Sequence, residues 1–182
     1  MMFLSNGQIH KKLIQLIDSS KEAIRIVSPW VSPTWEVTDA LRKAKARGVR
    51  VTVITRPESE SNQASKIKSN HYDGIVKLAS IGCEFITKEI YDEMLHDKFY
   101  LFDEEGVIIT SANLTKSSLV RNSEVGIFTA DSTVIKECKN KFEELKTLVI
   151  GIIRNGERDT EPRIIRSDGH GKKSESGIIR SD

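Results

Sequence analysis

Apolar positions change period several times along the chain, and each change marks an element. Ile9, Leu13, Leu16 and Ile17 recur at helical spacing, so residues 8–19 read as an amphipathic helix. Ile24–Ser28 is a short apolar strand ended by Pro29. Residues 35–47 return to a helical pattern, and Gly48 is its natural stop. Val49–Thr55 alternates and is rich in β-branched residues, which predicts a buried strand. Pro57 to about Asn70 is polar and serine-rich, a loop leading into a helix that ends near Gly82. Cys83–Thr87 is another strand. Two β-rich runs follow, Asp97–Phe102 and Val107–Ser111, then a strand at Glu124–Thr129 and a helix from about Ser132 to Leu148. Strand–helix alternation followed by a hairpin predicts an α/β fold, a mixed sheet covered by helices.

The hairpin concentrates the candidate chemistry. Asp103-Glu104-Glu105-Gly106 has Asp first and Gly fourth, which suits a type I turn. With that turn Phe102 pairs with Val107, Lys98 falls opposite Ser111, and His96 falls opposite Asn113. Cross-strand partners share a face, so the four polar groups are expected to converge. A histidine can attack phosphorus. Lysine, serine and asparagine can hold phosphate oxygens, and a carboxylate such as Glu124 can orient a histidine. These are the parts for breaking a phosphodiester without a metal or other cofactor. No Cys/His spacing suggests zinc.

The stretch from His96 to Asn113 resembles the HKD signature of the phospholipase D superfamily: His, any, Lys, four residues, Asp, six residues, Gly-Ser-any-Asn. His96, Lys98, Asp103, Ser111 and Asn113 match position by position, and Asn122-Ser123-Glu124 is similar to the downstream Asn-any-Glu. Thr110 stands where the family usually has Gly. Upstream, IRIVSPW, a helix and ARGVRVTVIT are similar to the family's opening strand–helix–strand unit. The resemblance covers about residues 8–146 and implies a phospholipase D-like fold with a single signature in this chain.

In-line displacement at phosphorus needs a nucleophile on one side and an acid for the leaving oxygen on the other. His10, His71 and His170 lack Lys and Asn companions. The resemblance therefore implies that two signatures meet in a symmetric homodimer with one shared site. It assigns attack to one His96 and proton donation to the other. Lys98, Ser111 and Asn113 take the phosphate oxygens, and Glu124 holds an imidazole. Asp103, at the turn and facing away from His96, is expected to be structural. The favoured substrate at this level is DNA, with RNA a further candidate, cleaved by a nuclease. The alternatives are hydrolysis of a phospholipid or other small phosphodiester, and a nucleic-acid-binding or assembly subunit.

Bulk properties narrow this little. The chain has 182 residues, 38% hydrophobic and 30% charged, with a net charge of +2, ordinary for one globular domain. Arg42, Lys43, Lys45, Arg47 and Arg50 form a basic run, either a solvated helix face or a phosphate-backbone contact. Trp30 and Trp35 suit base stacking or plain packing. Lys66, Lys68 and His71 could guide a polyanion or simply face solvent. No signal peptide or membrane span is legible, so a cytoplasmic protein without membrane attachment is expected, and Cys83 and Cys138 read as reduced thiols.

The segment after residue 150 differs in kind. It carries three Ile-Ile-Arg units, at 152–154, 164–166 and 178–180, among Gly, Ser and balanced charge. The reading is a catalytic domain over 1–150 and a tail over 151–182. The tail is either a flexible appendage or a set of edge strands that dock a protein partner.

Overall fold

A computed structural model of the chain describes residues 1–57, 65–87, 94–147, 151–154 and 157–158. The first strand, β1 (Met2–Ser5), leads into α1 (Gly7–Ser19), whose Ile9, Leu13, Leu16 and Ile17 are buried as the helical period requires. Two strand–helix–strand crossovers follow. They run from β2 (Ala23–Val27) through the two-residue β3 (Val31–Ser32) and α2 (Trp35–Ala46) to β4 (Arg50–Thr55), then through α3 (Ser65–Ser80) to β5 (Glu84–Thr87). The hairpin is β6 (Phe99–Phe102) and β7 (Gly106–Thr110). After it come β8 (Leu114–Thr115), a π-helical turn at Ser117–Arg121, β9 (Val125–Thr129), α4 (Ser132–Thr147), β10 (Gly151–Arg154) and β11 (Glu157–Arg158).

Among the described residues, nine strands form one mixed sheet in the order β1-β9-β7-β6-β2-β4-β5-β10-β11, and β3 pairs with β8 beside it. Neighbours β2, β4 and β5 run parallel, while β6, β7, β9, β1 and β10 join antiparallel. Helices α1, α2 and α3 contribute Leu13, Ile17, Leu41 and Leu78 to the core on one face. On the other face α4 places Ile135, Phe142 and Leu145 against Val27, Ile54, Leu101 and Val107. All four residues of β6 are buried because both faces of that strand are covered.

Two polar ties fix the helix ends. The Arg47 guanidinium donates to the Ile17 and Ser20 carbonyls at 2.8 and 3.3 Å, satisfying the C-terminal end of α1. Thr34 caps α2 by accepting from the Val37 amide, and its hydroxyl also lies 2.9 Å from His10 Nε2. The basic run is thereby largely engaged. Arg42 and Lys43 pair with Asp39, one helical turn earlier, at 2.7 and 2.8 Å. This supports the solvated-face reading of those two residues.

The hairpin register is one residue from the sequence expectation. Phe102 pairs with Gly106, not Val107, and the Thr110 amide bonds the Lys98 carbonyl. The turn therefore spans three residues, with Asp103 at φ +47°. Asp103 accepts that conformation because its carboxylate is fixed from outside the hairpin. It takes the amides of Lys21 (2.7 Å), Glu22 (3.2 Å) and Ala23 (2.5 Å). Gly106 completes the turn at φ +155°, and a Cβ there would lie 2.4 Å from the Phe128 ring. The first Ile-Ile-Arg unit is the strand β10, antiparallel to both β5 and the two-residue β11, while the second and third lie outside the described residues.

Candidate active site

The carboxyl ends of β2 and β4, the start of β6, the end of β7 and the start of β9 all open on one edge of the sheet. His96, Lys98, Ser111, Asn113 and Glu124 gather there, as ligand sites do in sheets with parallel crossovers. The cause of convergence differs from the cross-strand pairing expected. His96 and Lys98 precede β6 in irregular chain, and the observed register sets Lys98 opposite Thr110. The groups meet because both strands of the hairpin end at this edge.

Each side chain has a distinct setting. His96 is exposed. Lys98 curls back so that Nζ donates to the His96 carbonyl at 2.7 Å. Burial, together with repulsion from Arg56, holds its ammonium below the ordinary lysine range, while Glu124 and Asp97 pull the other way. The Ser111 hydroxyl donates to the Glu124 carboxylate and accepts from the Val125 amide at 3.1 Å. Asn122 reaches the other Glu124 oxygen at 3.4 Å, and the Glu124 amide donates to Asn6 Oδ1 at 3.1 Å. Within one chain, then, Glu124 holds Ser111 in place of the imidazole assigned to it from sequence. Asn113 Oδ1 is buried with no hydrogen-bond partner among the described residues. Such an acceptor is costly unless a donor arrives from outside the chain.

Thr110, the departure from the motif, spans the turn into Ser111. Its hydroxyl donates to the Val125 carbonyl (2.9 Å) and accepts from the Ala112 amide (3.0 Å). Beneath it the fully buried Tyr100 donates to the Ala112 carbonyl at 2.8 Å, joining the two halves of the motif. Burial pushes this phenol well above its usual range.

The remaining candidates fall elsewhere. His71 is 2% exposed, its Nδ1 accepts from the Val31 amide at 3.0 Å, and Nε2 lies 3.1 Å from the Arg56 carbonyl. A buried ring bonded on both nitrogens offers no face to a polyanion, so His71 is a tie between segments, not the substrate guide expected. Trp30 packs edge-on to His71, centroids 5.2 Å apart, and under the Arg56 guanidinium at 5.5 Å. Its partners are internal, which favours packing over base stacking. Lys66 and Lys68 fall in the first turns of α3, and their side chains lie outside the described residues. The basic residues 43–50 sit at the opposite end of the sheet from His96, near the start of β4. Sequence reasoning missed Arg56, a buried cation at the end of β4. A lone arginine after a strand carries no distinguishing pattern. Burial pushes the Cys83 thiol up to about 12, which makes it inert. Among the described residues no group of three His, Cys, Asp or Glu could hold a metal, and no helix is long and apolar enough to cross a membrane.

A mixed sheet between helices, with an HKD constellation on one edge, defines a phospholipase D-like phosphodiesterase domain. Residues 13–146 match the family described as cardiolipin synthase, PLD-like domain, and the chain belongs to that family. Curated relatives include the probable cardiolipin synthase YwiE of Bacillus subtilis, 27% identical over 133 residues, covering 71% of this chain and 25% of that protein. The major cardiolipin synthase ClsA of the same organism is 27% identical over 138 residues, 75% of this chain and 27% of that one. The chain thus spans about a quarter of the curated relatives it matches. Among solved structures, Nuc of Salmonella typhimurium, a phospholipase D family member, aligns with a TM-score of 0.65 at 20% identity over 81% of this chain and 95% of that one. Phosphatidylserine synthase of Haemophilus influenzae aligns at 0.66 with 11% identity, over 81% of this chain and 38% of that one.

Proposed function

We propose that this chain transfers the phosphatidyl group of a phospholipid through a phosphohistidine at His96, in a site completed by a second copy of the chain. The observation that carries the reading is the gathering of His96, Lys98, Ser111, Asn113 and Glu124 on one sheet edge. One His96 forms a nitrogen–phosphorus bond while the phosphorus–oxygen bond to the leaving alcohol breaks. The second copy's His96 gives its proton to that oxygen, then takes a proton from water or another alcohol, which displaces the histidine. Lys98, Ser111 and Asn113 neutralise and hold the non-bridging oxygens.

The phospholipid assignment rests on the curated relatives, which are cardiolipin synthases. Exposed apolar side chains on the site's edge fit it: Trp35 at the start of α2, Met94 just before the signature, and Val120 in the π-helical turn. The nuclease reading favoured by sequence has less support, since the basic run lies at the far end of the sheet. It retains one point in its favour. The fold is similar to nearly the whole of Nuc, whereas the sequence aligns with only about a quarter of YwiE and ClsA.

One apolar surface supports the second copy. Phe3, Ile127 and Ile109 form a cross-strand row on the face that α4 covers only in part, and Val125 lies beside it next to Glu124. Phe3, Val125 and Ile109 are 66%, 52% and 36% exposed. An apolar strip adjoining a site that needs a second imidazole fits a copy of this chain. Purified protein should be assayed on phosphatidylglycerol vesicles, single-stranded DNA and bis(p-nitrophenyl) phosphate. Turnover of the lipid with none of DNA supports the proposal. Turnover of DNA alone replaces it with the nuclease reading.

A further inference from the structure

Among the described residues the exposed His96 side chain finds no hydrogen-bond partner, yet the chain on both sides of it is pinned. On the carboxyl side, Lys98 Nζ bonds the His96 carbonyl and β6 begins at Phe99. On the amino side, the pin is Arg56. Its Nε donates to the carbonyl of Leu95, the residue before His96, at 2.8 Å. Arg56 is 7% exposed and Leu95 is 3% exposed, so this bond forms away from solvent.

Arg56 is in turn gripped from two directions. Its carbonyl accepts from His71 Nε2, since His71 Nδ1 is already the acceptor for the Val31 amide and the ring proton must sit on Nε2. Its guanidinium lies over the Trp30 ring, which also abuts His71. Helix α3 can bring His71 this close because Gly74 lies against β3, where a Cβ would come 2.3 Å from the Val31 carbonyl oxygen. Val31, His71, Trp30 and Arg56 therefore form one bracket, which meets the residue before His96 at the Leu95 carbonyl and the residue after Asn113 where Val31 pairs with Leu114.

We propose that Arg56 is a positioning residue for the nucleophile: acting through Leu95, it fixes the main chain that carries His96. The inference rests on His96 being the nucleophile. A shift of about 1 Å in a reacting group costs on the order of 10²-fold in rate, so a bracket of this kind acts on turnover more than on binding.

The test compares Arg56→Met and Arg56→Lys with the unaltered chain and with His96→Ala, using bis(p-nitrophenyl) phosphate as probe. Arg56→Met should lower kcat on the order of 10²-fold with KM changed less than about threefold, and Arg56→Lys should recover about tenfold of the loss. A purely structural role would not move the alkaline limb of the pH profile. Arg56→Met should raise that limb and Arg56→Lys should leave it in place. The charges around Lys98 are Arg56, Glu124 and Asp97, and only the repulsive one is removed. Amide hydrogen exchange gives a readout independent of turnover: in the folded Arg56→Met protein, the Thr110 amide, which bonds the Lys98 carbonyl at the end of the pinned segment, should lose protection while the amides within β6 keep theirs. Unchanged exchange there overturns the proposal, as does a kcat within twofold of the unaltered chain. A rise in KM alone would make Arg56 a substrate contact instead. An active His96→Ala protein would refute the nucleophile assignment and leave the exchange result to decide the bracket.

Discussion

Replacing Asp103 separates the structural from the chemical parts of the signature. Its carboxylate takes three main-chain amides, of Lys21, Glu22 and Ala23, and sits at φ +47°. The Lys21 and Glu22 amides are exposed and water will replace the lost partner. Ala23 is buried, so its amide bears most of the loss, about 1–3 kcal/mol, with a smaller contribution from the other two. Alanine adds about 1–2 kcal/mol for the left-handed backbone, which Asp, Asn and Gly tolerate better. Asp103→Ala should therefore cost about 4 kcal/mol, Asp103→Gly about 3, and Asp103→Asn, which keeps one acceptor oxygen, about 1–2. Urea denaturation followed by circular dichroism measures each value, and the order Ala, Gly, Asn is the diagnostic. Turnover per folded molecule should stay near that of the unaltered protein, because Asp103 and His96 lie beyond opposite ends of β6, whose four residues alone span roughly 13 Å. If Asp103→Asn folds normally but loses activity to the degree of His96→Ala, the structural assignment is wrong.

Four further outcomes are expected. Turnover should persist in excess EDTA and vanish in His96→Ala; loss with EDTA and recovery with magnesium would refute the histidine mechanism. Gly106→Ala should fail to fold or lose more than about 3 kcal/mol, since its Cβ meets both the Phe128 ring and the Thr129 carbonyl oxygen, 2.7 Å away. Ending the chain at Ile150 should lower the denaturation midpoint and favour aggregation by baring the β5 edge; an unchanged midpoint and solubility would make β10 dispensable. Co-refolding equal amounts of native and His96→Ala chains should leave about a quarter of the activity if the site is shared, and about half if each chain works alone.

Much of this architecture was legible because the local signals were strong. The helices at 8–19, 35–47 and 132–148 lie within a residue or two of α1, α2 and α4; the apolar period marks α1, and Gly48 stops α2. The signature residues were legible too, by type and spacing. Their geometry was not. The hairpin slipped by one register because Asp103 is held by residues eighty positions earlier, which no local turn preference encodes. β1 was missed for the same kind of reason: MFLS has no alternation of its own and becomes a strand only by pairing with β9. The role of His71 depended on burial against β3, and Arg56 mattered only once Leu95 lay beside it. In each case long-range pairing decided what a short stretch could not.

The staple at Asp103 also turns the hairpin into a gauge. Lys98 belongs to one rim of the sheet and Asp103 to the other, and β6 fills the interval. The number of residues between them is therefore the height of the sheet counted in strand steps. One added residue within Phe99–Phe102 would either lift the carboxylate off the amides of Lys21–Ala23 or reverse the strand's faces, swinging Tyr100 away from the Ala112 carbonyl. The spacing within the signature thus records the dimension of the scaffold, and reaction centre and far rim can change only together.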